Sequence, residues 1–138
     1  MWERDAYSER TLILPDGCMD LIWDGRRVFV AGPDTRARWH QDRVGATYTG
    51  LRFSGGLGPA LLGIPADEVV DAAPDLEVLW PSRAAEDLAD RVASSPAAAF
   101  EAWMVERHRA AVVDPLGRRI LATPTSLLRH LGLREQRE

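Results

Sequence analysis

The sequence predicts an α+β fold, an antiparallel β half followed by a helical half. Three observations carry this. Up to residue 53, apolar and polar side chains alternate in short runs separated by turn residues. From residue 82 onward, apolar residues recur at helical spacing behind Ser-Pro and Asp-Pro starts. Between the two lies "SGGLGP" (54–59), a glycine-rich changeover. Strands grouped before helices, rather than alternating with them, indicate α+β instead of a doubly wound sheet.

The elements follow in order. Thr11 to Leu14 reads as a strand, ended by Pro15-Asp16-Gly17, where Pro15 presets φ for a turn and Gly17 closes it. In residues 18 to 23, Met19, Leu21 and Trp23 share one face, and Cys18, Asp20 and Ile22 the other. Asp24-Gly25 predicts a two-residue hairpin turn into "RRVFVAG". That register sets Trp23 opposite Arg26, Leu21 opposite Val28, Met19 opposite Val30, Asp20 opposite Phe29 and Cys18 opposite Ala31. "AGPDT" (31–35) is a further turn, and "RARWHQ" and "ATYTGLRF" (46–53) are further strands. In the latter, Thr47, Thr49, Leu51 and Phe53 share one face; Tyr48, Gly50 and Arg52 share the other. Short helical pieces follow near 59–63 and 75–80. Ser82 is expected to cap a helix carrying Leu88 and Val92, and Ser95-Pro96 opens one carrying Phe100, Trp103, Met104 and Ala111. Asp114-Pro115 and Thr123-Pro124 repeat the start signal.

Bulk properties exclude several classes. At 138 residues the chain is long enough for one domain with a core. No apolar run approaches the roughly 20 residues of a membrane span, and "MWERDAYSER" lacks a signal-peptide core. One cysteine, Cys18, allows no internal disulfide and fits a cytoplasmic protein. All 17 basic residues are arginine, scattered among acids, and net charge is −4, so no electrostatic nucleic-acid surface is expected.

Together "LPDGCMDLIW" (14–23), "VAGPDT" (30–35) and "GLRFSGGLGPALLGIPADEV" (50–69) resemble the N-terminal domain of a group of AraC-family transcriptional regulators from GC-rich bacteria. The similarity runs to about residue 110. "TSLLRHLGLREQRE" (125–138) resembles the start of the first helix-turn-helix of an AraC-type DNA-binding domain, with Leu131-Gly132-Leu133 at its turn. The resemblance implies an effector-sensing and dimerisation domain over residues 1–112, often a cupin-like barrel. Residues 113–138 would then begin a DNA-binding domain. DNA contact is expected only through a complete C-terminal domain, because the would-be recognition helix here holds about five residues and isolated helices under roughly 12 are marginal in water.

Four residues are expected around one ligand cavity: Asp20, Trp39, Tyr48 and Arg52. Asp20 is a carboxylate on an otherwise apolar strand face and needs a partner if buried; Arg52 is the expected one. Trp39 and Tyr48 supply aromatic surface, whereas Trp23, Trp80 and Trp103 read as core. Cys18 is weighed as a reactive thiol, which needs a nearby cation or helix start, against a buried small hydrophobe, and the second is favoured because it sits at a strand start after a turn, facing Ala31. Phe100, Trp103, Met104 and Ala111 form a stripe that must in part cover the sheet and whose edge is expected to contribute to a homodimer through residues 96–113. No metal or cofactor is expected: His40, His108 and His130 are far apart, and no CxxC, HxH or HExxH occurs. No nucleophile elbow or phosphate loop occurs either, so the expectation is a binding domain for a small-molecule effector and not an enzyme. The alternative is a stand-alone small-molecule-binding barrel or a small cupin-like enzyme.

Overall fold

The computed structural model describes residues 1–54 and 56–113, the last three by their backbone only. Six strands precede four helices: β1 (Trp2–Asp5), β2 (Arg10–Ile13), β3 (Asp20–Trp23), β4 (Val28–Ala31), β5 (Arg38–Gln41), β6 (Thr47–Arg52), α1 (Leu57–Leu62), α2 (Leu76–Leu79), α3 (Ser82–Ser94) and α4 (Pro96–Val113). This is the α+β class. Among the described residues, the strands form an antiparallel four-stranded sheet in the order β1-β6-β3-β4 and a separate ribbon of β2 and β5, not one closed barrel.

The four-stranded sheet has two distinct faces, because side chains alternate along each strand. Met19, Leu21, Val28, Val30, Leu51 and Phe53 point toward the helices. There they bury against Leu61, Leu62, Ile64, Val69, Leu76, Leu88, Val92 and Phe100. Phe100 and Trp103, expected at a dimer interface, belong to this core; they are 0% and 4% exposed. The Trp103 ring meets Phe53 edge-on at 6.1 Å and lies 5.8 Å from Trp80. Covering the sheet takes the whole inner stripe of α4, so these two side chains have no surface left for a second subunit. Met104 is partly buried against the same cluster.

The hairpin register differs from the expected one. Trp23 pairs with Val28, Leu21 with Val30, Ile22 with Phe29 and Asp20 with Ala31. The loop residues are Gly25 and Arg26 rather than Asp24 and Gly25. Of these two only Gly25 has positive φ, +92°, the pattern of a type II′ turn. Asp24 sits at the first turn position instead, where its carboxylate accepts from the backbone N–H groups of Arg26 (2.8 Å) and Arg27 (2.9 Å). The slip is two residues, so every side chain keeps its expected face.

β1 was not anticipated. It pairs along β6, Trp2 opposite Gly50 and Arg4 opposite Tyr48. The free side of β4 is covered by residues 72–75, through Val30 N–H to Pro74 O and Gly32 N–H to Ala72 O, both 3.0 Å. Gly32 has to be glycine there, since a Cβ would lie 1.6 Å from the Val69 carbonyl oxygen. Helix α3 begins at Ser82 behind Pro81, and no side chain caps it, so Ser82 does not perform its expected capping role. The Asp114-Pro115 and Thr123-Pro124 starts, and the whole helix-turn-helix resemblance, lie outside the described residues, as does the Ala111 side chain.

Candidate functional site

A cleft of about 730 Å³ opens between the outer face of the four-stranded sheet and the β2–β5 ribbon. Its floor is the second set of alternating side chains: Trp2 and Arg4 from β1, Asp20 and Ile22 from β3, Phe29 and Ala31 from β4, Tyr48 and Arg52 from β6. Its roof comes from the ribbon, where Thr11 and Ile13 on β2 and Arg38 and His40 on β5 face inward. The loop after β2 adds Leu14, Asp16 and Cys18 at one end. Volume and lining suit a small organic ligand, which typically occupies about 300–1,000 Å³ of mostly apolar surface with a few fixed polar groups.

At one end, Asp20 is 7% exposed and accepts two hydrogen bonds from Arg52, Nε to Oδ1 and Nη2 to Oδ2, both 3.0 Å. β3 and β6 set Asp20 directly opposite Arg52, so strand register creates this bidentate pair. Arg52 also reaches Asp16 Oδ2 at 3.0 Å. The bonds to Asp20 hold the guanidinium in its charged form. The indole Nε1–H of Trp2 donates to Asp20 Oδ1 at 3.4 Å. Trp2 lies flat on Gly50, where a Cβ would come within 2.2 Å of its ring. Nearby, Arg38 Nε donates to Asp34 Oδ1 at 2.7 Å.

The other end is built on Asp42, whose side chain is fully buried. Arg4 donates to it at 2.7 and 3.2 Å, and the Thr11 hydroxyl also bonds to it. Burial alone would raise the Asp42 carboxyl, but the bonds from Arg4 and Thr11 prevail and hold it below its ordinary value. These contacts tie the ribbon to the sheet. The Arg4 guanidinium lies 4.7 Å above the Tyr48 ring. His40 stacks on Phe29 at 6.4 Å and meets Tyr48 edge-on at 6.0 Å. Burial pushes its pKa down, against a smaller upward pull from Asp42, so the imidazole is neutral near pH 7.

Three of the four expected ligand-site residues, Asp20, Tyr48 and Arg52, line this cleft, with Arg52 as the expected partner of Asp20. Trp39 does not. It is 57% exposed on the outer face of the ribbon, where Arg10 covers its ring at 4.5 Å. Its neighbours Arg38 and His40 point inward, so the alternation of β5 necessarily turns Trp39 out. Cys18 lies at the cleft entrance, not opposite Ala31. Burial, and secondarily Asp16, raise its thiol pKa, which argues against an activated thiolate. The expectation missed Trp2, Arg4, Ile13, Arg38 and His40. The signal available was the alternation of "WERD", which sets Trp2 and Arg4 on one face, within a stretch that reads only as a charged terminus.

A family model described as a domain of unknown function (DUF6597) matches residues 1–75. Those residues contain all six strands and every cleft-lining residue. Comparison with curated proteins and with solved structures finds no match. The family match covers more than half of the 138 residues, and the chain belongs to the DUF6597 family.

Proposed function

We propose that the β half is a small-molecule-binding sensor and that it serves as the effector domain of an AraC-type transcriptional regulator. The cleft between sheet and ribbon carries the first part. Its floor and roof are unlike a core, since three arginine–aspartate pairs are set among Trp2, Ile13, Ile22, Phe29 and Tyr48 around open space. Protein interiors ordinarily close such gaps, and a persistent polar-and-aromatic cleft is the usual form of a ligand site. The regulator assignment rests on the resemblance of the 14–23, 30–35, 50–69 and 125–138 segments. In this reading the chain does no chemistry on its ligand, and DNA is contacted only by a complete C-terminal domain. The homodimer in this reading uses exposed surface of α4 such as Val105, which is 49% exposed, rather than Phe100 and Trp103.

A gel shift at moderate salt with the DNA upstream of the gene tests the regulator part. Residues 1–138 are expected to give no discrete, competitor-resistant band; a discrete band would overturn it.

A further inference from the structure

We propose that the ligand of the cleft is an uncharged, ring-bearing molecule with a hydrogen-bonding head such as an amide, not an organic anion or cation. The inference rests on the sensor reading of the cleft and gives it a ligand class. Every arginine that lines the cleft already holds a carboxylate: Arg4 holds Asp42, Arg38 holds Asp34, and Arg52 holds Asp20 and Asp16. Four aspartates face these three arginines, and each of these seven groups is paired among the described residues. A charged ligand would shed its hydration among Trp2, Ile13, Ile22 and Phe29 with no free counter-ion to receive it. An anion would approach an arginine whose charge a carboxylate already offsets, and a cation a carboxylate whose charge an arginine already offsets.

The polar groups that remain are neutral. The ring nitrogens of His40 make no hydrogen bond to the described residues, the nearest ionic approach being Nε2 to Asp42 Oδ1 at 3.8 Å. Flanked by Phe29 and Tyr48, this imidazole faces the cleft and is kept neutral by burial, so it can both donate and accept. In this proposal the ring lies between the floor of Trp2, Ile22 and Phe29 and Ile13 in the roof, with its head toward His40.

Three probes of nearly the same shape test this: phenylacetamide, phenylacetate and phenethylammonium. Each is titrated into the whole chain near pH 7.5 and followed by backbone amide NMR. Molecules of about ten non-hydrogen atoms should bind at millimolar level. Phenylacetamide is expected to bind at least about tenfold more tightly than either ion, a factor equal to about 1.4 kcal/mol, with shifts centred on residues 29–31 and 38–40. Asp34→Asn strips the charge that compensates Arg38. It should raise phenylacetate affinity about fivefold or more relative to phenylacetamide, about 1 kcal/mol by the same conversion. Tighter binding of either ion to the unmodified chain would overturn the uncharged-ligand inference and leave the cleft a binding site. Absence of shifts at the cleft with all three would overturn both. The wild-type ranking decides the question even if the Asp34→Asn variant does not fold.

Discussion

The two faces of the four-stranded sheet are made by alternate residues of the same strands, yet they are built for different ends. On the helix side, Leu21, Val30 and Phe53 belong to one apolar cluster and are essentially inaccessible. On the ribbon side, Asp20, Ile22, Phe29 and Tyr48 are buried too, but around a cleft and beside paired charges, with Arg52 half exposed. Burial alone therefore does not separate structure from function here. What separates them is whether the opposing layer closes down. Helices α3 and α4 supply an apolar surface that packs against the sheet, whereas the ribbon is tied to it through Arg4, Thr11 and Asp42 with a cleft left between the layers.

Truncations on adjacent residues should separate the faces most sharply. Leu21→Ala leaves a hole in a closed core and is expected to cost about 4–5 kcal/mol, whereas Ile22→Ala borders an existing cleft and should cost about 2–3 kcal/mol. Urea midpoints of the two variants measure this, and equal losses would break the distinction. Next in size is Gly50→Ala, which drives a methyl into the Trp2 ring. Overpacking of this kind costs about 1–3 kcal/mol, and the Trp2 indole N–H resonance should move as its bond to Asp20 is lost. An unmoved resonance would mean that Trp2 does not rest on the sheet.

Asp20→Ala removes a buried acceptor from a half-exposed arginine. Water compensates part of that loss, so about 1–2 kcal/mol is expected. A double-mutant cycle with Arg52→Ala should show coupling of similar size, and strict additivity would show that the pair is idle.

The smallest effect is the pH dependence. The His40 pKa is lowered in the folded state, so the unfolded chain binds more protons as pH falls below 6.5. Stability should thus be level above that value and fall below it, toward the folded pKa. Asp42 is depressed below 3.8, so its contribution is present above that value and is lost as pH falls through its lower folded pKa. His40→Gln should remove the first decline and leave the second; a slope between pH 6.5 and 5 unchanged by this replacement would contradict the assignment.

Much of this was legible in the sequence. Parity along a strand is read directly from alternation, so the faces of residues 18–23 and 46–53 were correct even though the hairpin slipped by two residues. The slip arose because an Asp-Gly pair fits both as the central pair of a type I′ turn and as the first half of a II′ turn capped by the aspartate. The ion pair of Asp20 and Arg52 was readable as a buried carboxylate seeking a partner. Trp39 was misplaced because aromatic content says nothing about which way a ribbon faces, and β5 has only four residues to show its phase. Trp2 is not legible as a strand residue because the acids and arginines around it mask the alternation. Phe100 and Trp103 form a stripe that suits sheet or partner equally, and only the position of the sheet decides between them.

The central claim, that one face of the sheet is a binding surface and the other a closed core, is tested most directly by methyl-resolved NMR during titration with a chemically diverse fragment set. The account predicts that binding fragments shift the methyl groups of Ile13, Ile22 and Ala31 and leave those of Leu21, Val28 and Val30 in place. Fragments that shift the second group and not the first, or a set in which none moves Ile13 or Ile22, would contradict it.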